Sequence, residues 1–261
     1  MAANVRLGYL TKDWDLGTPS ASSEASSQLG AANALHDEVG RPWRSGSAAS
    51  QWWQIDLGSG KQITGLILGA ANWTSAATIA HKSNTIASWS SPPREEVLGV
   101  VTDVDGEVYR HLVVFFDVSH QYHRIEIDDP TNPDGYIEVG YIRGFRYWEP
   151  SRNYAKAWEM PYVDPSEPAE NEPGKSTSWH VLEPYRRAAI RFDWQTGETA
   201  DQLEAFFRNR GNHKPLILAL HPDTRPIQDT MYCRMTTPLG KARQGVKNFT
   251  SGVLEFVEET R

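Results

Sequence analysis

The 261-residue chain has one cysteine, Cys233. No intramolecular disulfide can form, so the fold must rest on its hydrophobic core, and a reducing compartment is expected. No apolar run approaches the ~18 residues of a membrane-spanning helix, and the first ten residues lack the basic and apolar regions of a secretory leader. The expectation is a protein made in the cytoplasm, with neither export nor membrane insertion. Basic residues are also in deficit, since 26 Lys and Arg against 33 Asp and Glu give a formal net charge of −7. Nucleic acid, which calls for a clustered basic face, is therefore not an expected partner. The densest basic patch, Arg186-Arg187 with Arg191, lies in an alternating segment and reads as the solvated face of a strand. The nucleophile elbow, the phosphate-binding loop and the His-Glu-x-x-His zinc motif are all missing. His120 and His123, with His111 nearby, do not converge on a metal at strand spacing. The acidic pairs Glu95-Glu96, Asp128-Asp129 and Glu258-Glu259 read as surface or loop pairs. No catalytic residue, cofactor or metal is assigned, and the chain is not expected to be an enzyme.

What the chain has in quantity is aromatic side chains, with ten tryptophans and ten tyrosines. Three of the ten tryptophans lie within Trp43–Trp53. In Gln51-Trp52-Trp53-Gln54-Ile55-Asp56-Leu57-Gly58, Ile55 and Leu57 alternate with Gln54 and Asp56, the period of a half-buried strand. Trp53 is expected in the core. Trp52 points to the opposite face, where a core role and a contact role are both open. Further strands are expected at Ile63–Leu68, Leu112–Phe116 and Arg124–Asp128. Ile137–Tyr147 reads as one long strand or two meeting at a glycine. Pro150–Ser178 is rich in proline and glutamate, and no regular element is expected there. It reads as a linker or extended arm, with apolar Trp158, Met160 and Tyr162 at a spacing of two in its first half. In Trp179–Arg261, Ala188, Ile190 and Phe192 share one strand face. Thr199-x-x-Gln202 reads as a capping box opening a helix that carries Leu203, Phe206 and Phe207 and stops at Gly211. Strands follow at Leu216–Leu220, Tyr232–Met235 and Val253–Val257. Cys233, within one of these, reads as a buried, inert thiol. The organisation is mainly β: a sandwich over 1–150, an arm over 151–178, and a smaller β-rich α+β domain with one clear helix over 179–261.

The Trp43-Arg44-Ser45 and Trp52-Trp53-x-Ile55-Asp56-Leu57-Gly58 pieces, with Asn72-Trp73, Tyr122-His123-Arg124-Ile125-Glu126-Ile127 and Tyr136–Gly140, resemble the discoidin or coagulation-factor 5/8 type C domain. The resemblance spans about residues 14–149. It implies a jelly-roll sandwich that binds glycans, lipids or proteins through loops at one end. In sugar-binding members an Asn-Ala-x-Asp-Gly motif supports calcium. Here Asn33-Ala34-Leu35-His36-Asp37 puts His36 where the Asp would be, so calcium is not expected. The disulfide of many extracellular relatives is also missing. Trp73 and Trp89, among Ser, Thr and Asn, are candidate ligand or partner contacts together with Trp52.

The C-terminal part resembles minor and distal tail proteins of bacteriophages in the order of its elements: Arg191–Trp194, the helix, Lys214–Leu218 and Leu254–Glu258. Together the resemblances imply a structural virion protein of a long-tailed phage, assembled in the host cytoplasm. It would form a homo-oligomeric ring at the tail tip, joining the tube to the baseplate and contacting tube, hub and fibre proteins. Trp158, Met160 and Tyr162 would belong to an inter-subunit arm, and the sandwich would project outward, with a surface glycan as a further partner. The alternative is a carbohydrate-binding module or lectin.

Overall fold

A computed structural model describes residues 4–155, 158–172, 175–180, 183–244 and 248–260. The chain divides into two compact units, one of residues 1–148 with 219–230, the other of 149–218 with 231–261. The return of 219–230 to the first unit has no counterpart in the sequence pattern.

The first unit runs β1 (Arg6–Leu10), α1 (Lys12–Asp15), β2 (Thr18–Ala21), two 3-10 turns (Ser27–Leu29 and Ala31–Leu35), β3 (Trp43–Arg44), β4 (Gln51–Gly69), β5 (Thr78–Asn84), β6 (Arg94–Leu98), β7 (His111–Asp128), β8 (Glu138–Val139) and β9 (Tyr141–Trp148). The Ile55 and Ile63 segments, read as separate strands, are one strand of 19 residues, β4. It pairs antiparallel with β7, and the register shifts between Asp56 and Lys61 and again between Ile63 and Gly65. Such irregularities bend a paired ribbon. The two halves of β4 accordingly take different second partners: Asp56–Trp53 pair with β2, and Gly65–Gly69 pair with β9. On the outer side of β7, β5 pairs at Tyr122–Asp128, and β6 pairs with β5. The result is the expected mainly-β sandwich. Ile137–Tyr147 resolves into β8 and β9, separated at Gly140, where a Cβ would lie 2.8 Å from the Val39 carbonyl oxygen.

Fully buried Trp14, Trp43, Trp53 and Trp73 anchor the core, with Ile55, Ile63, Leu66 and Ile127 packed among them. Each buried indole needs a partner for its N–H. The four donate to the carbonyls of Ile142 (3.0 Å), Ser23 (3.1 Å), Ala31 (2.9 Å) and Tyr109 (3.1 Å). Trp14 stacks on Trp53 at 6.2 Å and presses on Gly144, where a Cβ would lie 2.0 Å from its ring.

The second unit contains β10 (Tyr162–Val163), β11 (Glu167–Glu172), β12 (Lys175–His180), β13 (Tyr185–Ile190), β14 (Gln195–Thr196), α2 (Gly197–Arg210), β15 (Leu216–Ala219), β16 (Thr230–Met235), β17 (Lys241–Gln244), β18 (Asn248–Ser251) and β19 (Leu254–Glu258), the ends of β15 and β16 reaching into 219–230. Three readings are corrected here. The proline-rich 151–178 segment carries regular structure: β10 pairs with β13, and β11 with β12 forms a hairpin. Pro168 lies in β11, an edge strand of a two-stranded sheet, the setting in which a strand tolerates proline. The helix begins at Gly197, not Thr199, with Thr196 as N-cap accepting from the Thr199 N–H at 3.3 Å. It ends as expected at Gly211, which has φ +60 and donates to the Phe207 carbonyl at 2.8 Å. Finally, Arg186 does not line a solvated face. It shares the buried parity of Ala188 and Ile190, its guanidinium Nε donating to the Glu258 carboxylate at 2.9 Å. Cys233 is buried, and burial pushes its thiol well above the ordinary range.

Candidate functional site

The site lies on the outer face of the β2-β4-β7-β5-β6 half of the sandwich. Side chains alternate across a strand, so each inward core residue is flanked by outward ones. Trp53, Ile55 and Leu57 point in, while Trp52, Gln54 and Asp56 point out. On β7, Ile125 and Ile127 point in, while Arg124 and Glu126 point out. Register then builds the cluster. Gln54 lies opposite Arg124 and Trp52 opposite Glu126. Lys82 of β5 lies opposite Arg124 on its other side.

Arg124 is the hub. Its guanidinium carbon sits 4.3 Å from the Trp52 ring centre and 4.5 Å from that of Trp89, within cation–π range of both. Its Nε and Nη2 donate to the Gln54 side-chain oxygen at 3.1 and 2.7 Å, and Nη1 is 3.6 Å from Glu126. Burial lowers the Arg124 pKa, and Glu126 opposes the shift. Lys82 bridges Glu126 at 2.8 Å and Glu95 at 3.3 Å. Its hydrogen bond to Glu126 raises its pKa. Trp89 reaches the cluster from the 85–93 segment, where the Asn84 side chain donates to the Ser88 carbonyl at 2.7 Å and accepts from the Thr85 N–H at 2.7 Å. Two of the three candidate tryptophans, Trp52 and Trp89, are thus brought together, each half-buried. The third is corrected. Trp73 has no exposed surface, because its polar neighbours Thr74 and Asn72 satisfy buried groups: Thr74 donates its N–H and hydroxyl to the fully buried Asp129 carboxylate at 2.8 and 2.7 Å. Gln54, Lys82, Arg124 and Glu126 carried no distinctive motif. Their outward parity beside Trp52 was the only signal.

The arm residues are placed within their own unit. Glu159 bridges to Ala189, Tyr162 lies opposite Arg186 on β13, and Trp158 meets Tyr154 edge-on at 6.3 Å. Met160 is half-buried between them in sequence, and Tyr162 is 66% exposed.

In the stretch compared with the calcium motif, Asn33 donates to the carbonyls of Gln28 (2.6 Å) and Pro42 (3.0 Å), and Asp37 lies 3.3 Å from the Arg143 guanidinium. These contacts serve loop closure and charge balance. Among the described residues no group of three His, Cys, Asp or Glu side chains converges to hold a metal.

Directly beneath the cluster two histidines meet in the core. His81 and His123 are almost without exposed surface, and His81 Nε2 lies 3.2 Å from His123 Nδ1 with the rings 4° from coplanar. The outer nitrogens, His81 Nδ1 and His123 Nε2, are buried without a hydrogen-bond partner. Trp14 and Phe116 pack on the pair. Burial holds His81 well below the usual imidazole range and His123 at about 3.

Residues 18–139 match the family described as F5/8 type C domain. Among solved structures, the lectin domain of lectinolysin complexed with Lewis B antigen is 18% identical, with a TM-score of 0.40, covering 53% of this chain and 99% of that one. The family 32 carbohydrate-binding module of C. perfringens NanJ in complex with galactose is 15% identical, with a TM-score of 0.38, covering 54% and 99%. A chitosan-binding module from a Paenibacillus chitosanase/glucanase is 21% identical, with a TM-score of 0.37, covering 50% and 95%. No curated protein sequence matches the chain.

Proposed function

We propose that the first unit is a carbohydrate-recognition module whose ligand lies on the Trp52–Arg124–Trp89 face. The observation that carries this is a pair of half-buried indoles fixed on one guanidinium, on an open sheet face fringed by Gln54, Lys82 and Glu126. Indoles offer flat apolar surface to the C–H face of a pyranose, and the amide, ammonium and carboxylate groups serve its hydroxyls. The family match supports a binding module over an enzyme. The proposed action is binding alone, with no cofactor and no covalent step. A glycan array followed by titration calorimetry tests it. Trp89→Ala should weaken the best ligand at least tenfold while leaving the melting temperature nearly unchanged. An array on which the full chain binds no glycan would sink the idea.

The wider setting we propose is the tail tip of a long-tailed phage, with the chain as a ring subunit in the virion and the module reading a host-surface glycan. The β11–β12 hairpin supports it: among the described residues it is a separate two-stranded sheet, a shape suited to clasping a neighbouring subunit or another tail protein. Deleting residues 165–181 should abolish ring assembly in electron micrographs of reconstituted tails while the sandwich stays folded. Normal assembly of the truncated chain would rule the arm out.

A further inference from the structure

The two faces of the β5–β7 pair are linked residue by residue. His81 precedes Lys82 on β5, and His123 precedes Arg124 on β7. In the register, Ser83 lies opposite His123, Lys82 opposite Arg124, and His81 opposite Ile125. Lys82 and Arg124 therefore form the outward-facing rung between the two inward-facing rungs that carry His81 and His123.

We propose that the buried His81–His123 pair makes the glycan-binding face acid-labile, so that the module holds its ligand at neutral pH and releases it in mildly acidic surroundings. The inference rests on the carbohydrate reading for its ligand, but not for its mechanism. At neutral pH one imidazole N–H donates to the other ring across 3.2 Å, and both rings are uncharged. A proton added to either ring creates a cation in an apolar pocket, and a second proton would place two N–H donors face to face. The pocket offers no counter-charge. Trp14 and Phe116 cover the rings, and Arg94 of β6 lies over Phe116 with its partner Glu96 beside it. His120 of β7 faces Ser83 at 2.9 Å. Burial is the largest influence on both rings, and Arg94 and His120 add to it; a backbone hydrogen bond involving His120 is the one opposing influence, on His123. Other charged residues on the packed elements, Lys12, Asp13 and Asp15 of α1, Asp56 and Lys61 of β4, Glu95 of β6, and Asp117 and Asp128 of β7, are exposed or half-buried. Protonation is accommodated only if β5 separates from β7, and that separation pulls Lys82 and Glu126 away from Arg124 and the two indoles.

The sign follows from linkage. Both folded-state pKa values lie below the unfolded value of ~6.5, so the opened state takes up protons that the closed state refuses. Stability contributed by the closed pair is intact above that value and falls as the pH drops toward about 3, the His123 value. With two imidazoles, the opening constant should rise by up to about a hundredfold per pH unit below ~6, since each proton contributes a factor of ten.

The test uses the full chain in two arms. Amide exchange, corrected for its intrinsic pH dependence, is followed by mass spectrometry in residues 78–84 and 122–128 between pH 7.5 and 5, a range chosen to lie above the ordinary carboxylates. Opening that accelerates at least thirtyfold supports the inference. A flat profile overturns it. His123→Gln should halve the slope. If that variant does not fold, the protons taken up on unfolding of the native chain at pH 5.5 are counted calorimetrically in two buffers, and an uptake below one proton overturns the inference. In the second arm the best array glycan is titrated at pH 7.5 and 5.5. A tenfold or larger loss of affinity at pH 5.5 supports acid release, and equal affinity overturns it. Binding of no glycan at either pH defeats the carbohydrate reading alone, because the exchange arm still decides the acid lability.

Discussion

Trp52 and Trp53 are chain neighbours with identical side chains and opposite fates. Trp53 is fully buried, donates its indole N–H to Ala31 and stacks on Trp14. Trp52 is half-buried on the outer face, its ring held under the Arg124 guanidinium. The difference comes from one step of strand alternation. It teaches that in this sandwich the inner face supplies stability and the outer face is free to supply recognition. The same division runs through His123 and Arg124, where the inner residue must stay neutral and the outer one stays charged.

That division can be broken by substitution. Trp53→Ala should cost the most, about 3–5 kcal/mol as for other large-to-small core changes, read as a collapse of the urea midpoint. Trp73→Ala should behave like it despite its polar sequence context, and a loss below 1 kcal/mol would place Trp73 with the outer set. Gly144→Ala comes next, because a Cβ would lie 2.0 Å from the Trp14 ring; overpacking of this kind costs about 1–3 kcal/mol. Thr196→Ala removes the α2 cap and should lower stability by about 1 kcal/mol, a reference within the second unit. Trp52→Ala and Trp89→Ala should be smallest in stability, each under about 1 kcal/mol, since cation–π contacts at partly exposed sites are worth roughly that. If Trp52→Ala unfolds the sandwich as Trp53→Ala does, the two faces are not functionally distinct.

Much of the architecture was legible because it depends on local pattern. Alternation around Ile55 marked Trp53 as internal, and the 3.6-residue spacing of Leu203, Phe206 and Phe207 marked α2. The corrections came where a distant partner overrode the local signal. Arg186 looked solvated until Glu258, 72 residues away, neutralised it. Prolines in 151–178 argued against strands, yet β13 and the β11–β12 pairing supplied the ladders. Trp73 looked like a loop contact until buried Asp129 accounted for the polar residues around it.

The sequence by itself determined the fold class and the parity of Trp52 through Leu57 in the anchoring strand, because side-chain alternation is a property of the backbone alone. It also carried the family resemblance that residues 18–139 bear out. Only the tertiary structure decided which outward residues meet. Trp52, Trp89 and Arg124 are separated by 35 residues or more in the chain, and no local pattern relates them. Register between β4, β7 and β5, with the 85–93 segment folded over the face, brings them to a common centre. The same register places His81 against His123, because hydrogen-bonded strands fix neighbours across any distance in sequence.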